Sequence, residues 1–185
     1  MSEFIKKYAA QGGTTAELMD KYDYNADLTE KLDQLDVEDL DREQLYEIVL
    51  WKLNRFPVIS EELIGQLKGL GALKNGEHKK AEALLKDLLS CRGIALPMAS
   101  TILRFSNPQV FQIIDDRAFR VLTDGSGSYP AKPQPVTKGY LERSCEIYFV
   151  YLDKLCELQG VYFPFEKLDR ILYQMDIELG NSIGS

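Results

Sequence analysis

Two adjacent carboxylates, Asp115 and Asp116, have the side chains and the position that best suit chemistry in this 185-residue chain. They follow an apolar run from Val110 to Ile114, which predicts an extended link, and they precede a predicted helix. A carboxylate there can stabilise positive charge that develops on a substrate, or orient an attacking water. It can equally well cap the helix that it precedes. From position alone, both roles stay open.

A short turn upstream of these acids predicts an anion site. Gly93 tolerates a positive φ, Ile94 can fill the apolar seam between two helices, and Pro97 suits the first turn of the second helix. Apolar residues at helical spacing flank the turn: Leu84, Leu85, Leu88 and Leu89 before it, and Met98, Ala99, Ile102 and Leu103 after it. We therefore expect two helices over residues 81–105, with backbone N–H groups and a helix N-terminus facing outward.

These two features together resemble the helix-hairpin-helix DNA glycosylase superfamily, which contains endonuclease III and the adenine and alkylbase glycosylases. In that family the hairpin reads L-P-G-V-G-x-x-T-A, and the catalytic aspartate stands in D-x-x-h-x-R-V. The corresponding runs are CRGIALPMA from Cys91 to Ala99 and DDRAFRV from Asp115 to Val121. The likeness extends back to Leu45 and thins out towards both ends of the chain.

The resemblance implies a set of functional residues. Laid on Gly93, the family spacing makes Asp115 the catalytic aspartate, with Asp116 as the fallback. The hairpin residues that would contact a DNA phosphate are Arg92, Gly93, Ile94 and Ala95. Candidate substrate contacts are Trp51, Arg117 and Tyr129. A tryptophan at position 51 could stack on a base or pack against a neighbouring helix, and the loop that holds Tyr129 could equally be a surface linker.

Three departures from the family pattern change the chemistry that it implies. Ala95 stands where the family has its second hairpin glycine, so the backbone approach to a phosphate is less assured. Pro97 stands where bifunctional members carry the lysine that forms a Schiff base with the sugar, so any activity would be monofunctional. The chain has three cysteines and no C-x-x-C, so we expect no iron–sulfur cluster.

Cofactor and metal expectations are otherwise limited. Relatives hold a monovalent cation at the hairpin carbonyls, and the resemblance implies that one could bind here. His78 is the only histidine, and no second metal ligand stands near it in the sequence. We expect it to be a surface residue near a helix start, and we expect no other metal site.

The net charge of −7 counts against a nucleic-acid partner, whose affinity rests largely on phosphate neutralisation. The acidity is local, however. Residues through Glu47 carry 13 acidic and 5 basic side chains, whereas the rest of the chain carries 17 basic and 16 acidic ones. Between Lys74 and Arg104, six basic residues face three acidic ones. The hairpin region therefore permits contact with double-stranded DNA, although a solvated helix face would show a similar mixture.

Composition and patterning predict the fold class and the compartment. No 18-residue apolar run and no charged-then-apolar N-terminus occur, so we expect a soluble, unexported protein without membrane contact. Cys91, Cys145 and Cys156 are scattered, which fits buried thiols in a reducing cytoplasm. The helical periodicity predicts an all-α protein, and no feature of the sequence indicates its oligomeric state.

The resemblance implies a DNA-glycosylase-like, two-lobed arrangement for these helices. Residues 45–124 would form one lobe, with the helix-hairpin-helix inside it. The acidic flank of residues 1–44 would join the helices of residues 137–185 to form the second lobe, and residues 125–136 would be a loop. The site would lie in the cleft between the lobes.

Local signals place the N-terminal elements. Thr14 or Thr15 can cap a helix, and Asp41 with Gln44 matches a capping box that opens a helix ending near Phe56. We expect one acidic helical segment from Asp27 to Asp41. The core face of the helix after Asp41 is predicted to consist of Leu45, Ile48, Val49 and Leu53.

Three functions remain open at this point. The first is a DNA-binding protein of base-excision repair that hydrolyses the N-glycosidic bond of a flipped, damaged or mispaired base. The second is a catalytically inactive relative that binds DNA, or a protein partner, through the same hairpin; Ala95, Pro97 and the acidic flank favour it. The third is a helical protein in which the apparent hairpin is accidental.

Overall fold

The chain is all-α, as the periodicity predicts. The computed structural model describes residues 2–12, 14–22, 24–53, 57–160 and 163–182, and within these ranges it contains ten α-helices and no strand. The helices are α1 Glu3–Ala10, α2 Thr15–Asp20, α3 Ala26–Asp33, α4 Arg42–Lys52, α5 Glu61–Gly69, α6 Glu82–Ser90, α7 Leu96–Ser106, α8 Asp116–Leu122, α9 Lys138–Leu158 and α10 Leu168–Glu178. None of these helices combines the length and the hydrophobicity that crossing a bilayer requires.

The chain divides into two compact units, Met1–Phe56 and Pro57–Ser185. The first unit contains α1 to α4, and the second contains α5 to α10. The second unit begins at Pro57, twelve residues after residue 45, where the predicted lobe starts. The pairing of residues 1–44 with the C-terminal helices in one lobe stays a prediction.

Helix caps in the first unit follow the local sequence. Thr14 and Asp41 each form a capping box, with Glu17 and Gln44 respectively, so both predicted helix starts are confirmed. The prediction of one helix from Asp27 to Asp41 is wrong, because α3 ends at Asp33 and a short 3-10 turn follows at Val37–Asp39. The side chain of Asp36 accepts from the backbone N–H of Glu38, a local bond that competes with helix continuation.

The predicted core face of α4 is wrong. Leu45, Ile48, Val49 and Leu53 are exposed, from 36% for Ile48 to 58% for Leu53. The helical period places them on a stripe, but the described part of this unit buries one large apolar side chain, Leu28. The predicted helix end near Phe56 lies outside the described residues, and α4 ends at Lys52.

Trp51 packs inside the first unit. Its indole N–H donates to Thr29 Oγ1 at 2.8 Å, and its ring meets Tyr24 edge-on at 5.2 Å between centroids. Tyr24 in turn donates its hydroxyl to the Trp51 carbonyl at 2.8 Å. These contacts support packing against a neighbouring helix, and not base stacking, as the role of Trp51.

The core of the second unit forms around α6, α7 and α9. The leucine stripe of α6 is buried as predicted, and so are Ala99 and Leu103 of α7. The prediction that Met98 belongs to the buried stripe of α7 is wrong, because its side chain is 43% exposed. Met98 lies in the first turn of α7, one residue before the buried Ala99. Four buried residues of α9 complete this core: Tyr148, Tyr151, Leu152 and Leu155.

His78 is buried, and the prediction of a surface histidine is wrong. It is 1% exposed, lies in a 3-10 turn before α6, and packs against the ring of Phe149. Its Nε2 lies 3.1 Å from Asp153 Oδ1. Burial lowers the pKa of the imidazole, although the neighbouring Asp153 carboxylate opposes this effect.

Candidate functional site

The turn between α6 and α7 has the geometry that its sequence predicts. Gly93 has φ +82°, a value that favours glycine, and Ile94 is fully buried beneath the turn. The Ile94 N–H donates to the Cys91 carbonyl at 3.3 Å and closes the turn. Ala95 has φ −98° and ψ 176°, which any residue adopts, so the alanine in place of the family's glycine brings no backbone strain here.

A pocket of 390 Å³ opens beside this turn, and we call it the hairpin pocket. Its lining residues come from the turn and from the proline-rich loop after α8: Ser90, Arg92, Gly93, Ala95, Lys132, Gln134 and Val136. The pocket therefore has two basic side chains and no acidic one among its lining residues. The N–H groups of Arg92, Gly93 and Ala95 meet no acceptor within the described ranges.

Lys132 fastens the proline-rich loop to the turn. Its ammonium group donates to the carbonyls of Cys91 and Ile94, at 2.5 and 2.8 Å. Burial lowers the pKa of this lysine. In the sequence, Ile94 and Cys91 lie 38 and 41 positions before Lys132. No local sequence pattern indicates contacts over such a separation.

The extended link before Asp115 is held by side chains of three helices. Tyr148 and Tyr151 of α9 donate their hydroxyls to the carbonyls of Gln112 and Ile113, both at 2.8 Å. Ser100 Oγ of α7 accepts from the Ile114 N–H at 3.1 Å. In α10, Asp169 Oδ2 lies 3.4 Å from the N–H of Ile113. These bonds satisfy a buried non-helical backbone and fix where Asp115 emerges.

Asp115 caps α8 and is half-buried. Its Oδ1 accepts from the Ala118 N–H at 2.7 Å, so the capping role is present. Burial raises the pKa of its carboxyl group, while the bonds from the backbone N–H groups of Ala118 and Arg117 oppose that rise. The charges of Asp116 and Asp169 add to the rise.

A second pocket, of 190 Å³, contains Asp115, and we call it the carboxylate pocket. Its lining residues are Ile113, Asp115, Asp169, Arg170 and Tyr173. Asp169 is buried, and its Oδ2 lies 3.6 Å from Arg104 Nε. The pocket therefore combines two carboxylates, a guanidinium group and a phenol ring. None of the hairpin residues lines this pocket, so neither the hairpin pocket nor the carboxylate pocket contains both Asp115 and Gly93.

The other predicted site residues make structural contacts. Asp116 is exposed and accepts the hydroxyl of Tyr129 at 2.5 Å, and the ring of Tyr129 packs edge-on against Phe119. Burial raises the pKa of Tyr129 well above its usual range. Arg117 donates to the buried carboxylate of Asp176 at 2.8 Å and lies 5.4 Å over the ring of Tyr173.

The sequence does not mark several polar residues of these pockets. Lys132 lies in the same loop as Tyr129, from which both side chains could reach a substrate, but nothing in the sequence indicates that it contacts the hairpin carbonyls. Asp169 and Tyr173 stand more than 50 positions after Asp115, on a helix whose pattern indicates only an amphipathic core segment. The only local signal was Asp169 itself, which stands between the core residues Leu168 and Leu172 and is buried like them.

A third pocket, of 200 Å³, lies between α8 and α9. Its walls include Phe119, Leu122, Ile147, Val150 and Tyr151. Arg143, which also lines it, pairs with Glu146 at 2.7 Å. None of the predicted site residues lines this pocket.

Comparisons with protein families, with curated proteins and with solved structures find no significant match to this chain.

Proposed function

We propose that this protein binds DNA through its backbone phosphates, with the α6–α7 turn as the contact. The hairpin pocket carries the proposal, because it places the Arg92 guanidinium and the positive charge of Lys132 beside backbone N–H groups that meet no acceptor among the described residues. Unpaired amides next to basic side chains are the usual means by which proteins hold a phosphate. Because such contacts do not read bases, the binding is expected to be largely independent of sequence.

The charge distribution is compatible with this proposal. The second unit, residues 57–185, carries 15 basic and 16 acidic side chains, so the acidity of the chain lies mainly in residues 1–56. A contact through one turn neutralises few phosphates. We therefore expect weak binding with a shallow dependence on salt concentration.

Replacing Arg92 tests the proposal directly. Arg92→Met should weaken binding of a short fluorescent duplex severalfold and lower the slope of log K against log salt by about 1, because one phosphate contact is lost. Arg143→Met is the matched control, since Arg143 is exposed and pairs with Glu146 outside the hairpin pocket. Anisotropy titrations over a range of salt concentrations measure both quantities. Equal loss in the two variants, or no salt-dependent binding by the wild type, would contradict the proposal.

The second candidate function is hydrolysis of an N-glycosidic bond, and the carboxylate pocket favours it. Asp115 stands in a cavity with the aromatic ring of Tyr173 and a second carboxylate, Asp169. Breaking the bond between base and sugar leaves positive charge on the sugar and negative charge on the departing base. An ionised Asp115 would stabilise the sugar cation and orient the water that attacks it. With Pro97 in place of the lyase lysine, the product would be an uncleaved abasic site.

A further inference from the structure

The hairpin turn is contacted by a side-chain cation from the same chain, the ammonium group of Lys132. The ammonium group of Lys132 lies 2.5 Å from the Cys91 carbonyl oxygen and 2.8 Å from the Ile94 carbonyl oxygen. The same Cys91 carbonyl accepts from the Ile94 N–H, which closes the turn. The positive φ of Gly93 reverses the chain between these two residues and turns both carbonyls towards one point. An ammonium group at that point satisfies two carbonyls that the turn leaves without helical partners.

These carbonyls do not fit a diffusible monovalent cation, which the resemblance to the glycosylases implies at a hairpin. Both oxygens already accept from a positive group, and a second cation against them would be repelled by it. The disagreement is specific to this chain, because the lysine comes from the proline-rich loop and not from the hairpin.

We infer that Lys132 replaces a bound monovalent cation and makes the hairpin turn independent of the salt around it. The loop is fastened in the same step, since Gln134 and Val136 reach the hairpin pocket beside Lys132. Lys132 is a positioning residue here, because its N–H groups are directed to carbonyls. For DNA binding, the inference rests on the proposed function; for the stability of the turn, it does not.

Removing the ammonium group should create the cation requirement that the wild type lacks. Lys132→Ala leaves the carbonyls of Cys91 and Ile94 without that donor, so K⁺ or NH₄⁺ can bind there. At constant ionic strength, its melting temperature should be higher in KCl or NH₄Cl than in tetramethylammonium chloride, whose cation is too bulky to enter. The wild type should melt at one temperature in all three salts. Lys138→Ala is the control, because Lys138 is exposed and its ion pair among the described residues is with Glu142.

The DNA titration of the same variants separates this inference from the proposed function. If Lys132→Ala regains melting temperature in K⁺ but neither protein binds duplex, the inference holds and the proposed function fails. If the variant melts equally in the three salts, or the wild type itself requires K⁺, the inference is overturned.

A chemical measurement on the wild type keeps the test decisive if Lys132→Ala does not fold. Lys132 should be acetylated roughly tenfold more slowly than Lys138 by a small reagent, since its hydrogen bonds to two carbonyls must break before the nitrogen can attack. This protection should outweigh the larger neutral fraction that its lowered pKa gives. Peptide mass spectrometry over a time course gives both rates. Equal rates would overturn the inference.

Discussion

Asp115 has two roles that share one carboxylate. It caps α8 through the Ala118 N–H, and it gives the carboxylate pocket a charge that burial makes costly. Asparagine caps a helix about as well as aspartate does, whereas alanine does not. Two substitutions can therefore separate the cap from the charge.

Asp115→Asn should abolish any release of base while leaving the fold intact, because the cap is kept and the charge is lost. Asp115→Ala should also lose about 1 kcal/mol of stability with the cap. Circular dichroism melts and release of base from duplexes with a single damaged or mispaired base give the two readouts. Full turnover by Asp115→Asn would exclude a catalytic role for this carboxylate.

The direction of the pKa shift adds a pH signature to the same pair. Because the folded pKa of Asp115 is raised, ionisation costs stability as the pH rises through that value, and the cost is absent below the unfolded pKa of about 3.9. The Asp115→Asn variant has no such cost. At neutral pH it should therefore melt no lower than the wild type.

Local sequence was enough to predict some of these residues and not others. The conformation of Gly93 and the burial of Ile94 follow from turn chemistry within a few residues, and both predictions are confirmed. The burial of His78 depends on Phe149 and Asp153, which stand more than 70 positions away, so the sequence near it gave no sign of it. The partner of the hairpin carbonyls, Lys132, is likewise distant in sequence.

At the scale of elements, α8 and α10 are joined by a buried charge cluster. Asp176 has no exposed surface, and it accepts from Arg120 at 2.5 and 2.8 Å and from Arg117 at 2.8 Å. Asn181 adds a further bond at 2.9 Å. The bond from Arg120, supported by Asn181 and Arg117, holds the pKa of Asp176 well below its usual range. This cluster therefore holds α8, which Asp115 caps, against α10, which carries Asp169.

Asp176→Asn should destabilise the second unit, because two arginines lose their shared anion. The melting temperature at pH 7 should fall by roughly 10 °C. Since the folded pKa is depressed, the stabilisation is present above about pH 4 and is lost as the pH falls below it. The wild type and the variant should therefore converge on acidification.

Glu178→Gln is the control for this substitution, because Glu178 is exposed on the same helix. Thermal melts of all three proteins between pH 7 and pH 3 measure the effect. A variant as stable as the wild type at pH 7 would show that the cluster contributes little.

The elements themselves were largely predictable, and their contacts were not. Capping boxes, Pro97 and Gly93 mark helix ends by local bonding, which is why those boundaries agree with the structure. The apolar stripe of α4 is also present. Such a stripe shows which face of the helix is apolar, but it does not show whether another element packs against that face. The anchors of residues 111–115 come from three other helices, so only the folded chain reveals them.

At the scale of the whole molecule, charge is divided unevenly between the two units. Residues 1–56 carry 13 acidic and 7 basic side chains, whereas residues 57–185 are close to neutral. If the hairpin turn binds phosphates as proposed, an acidic unit in the same chain repels DNA at long range, in addition to any local contact. The all-α class could be predicted from periodicity. The boundary after Phe56 could not, because no proline-rich or glycine-rich linker marks it.

This long-range repulsion predicts how neutralising exposed acids of the first unit affects DNA binding. The triple variant Asp20→Asn, Asp33→Asn, Glu38→Gln changes the net charge from −7 to −4. None of these three side chains caps a helix or forms an ion pair among the described residues, so the fold should be kept. At low salt it should bind duplex DNA severalfold more tightly than the wild type. The difference should vanish above about 0.1 M salt, where the screening length falls to about 10 Å.

The reverse variant gives the matched control. Lys7→Gln, Lys21→Gln and Lys52→Gln remove three exposed basic residues of the same unit and change the net charge to −10. Repulsion predicts weaker binding at low salt and, again, no difference at high salt, because both variants leave the hairpin pocket unchanged. If the two variants bind like the wild type at low salt, the acidic unit does not govern the approach of DNA. If the three lysine changes instead weaken binding at every salt concentration, the first unit itself contacts the phosphates.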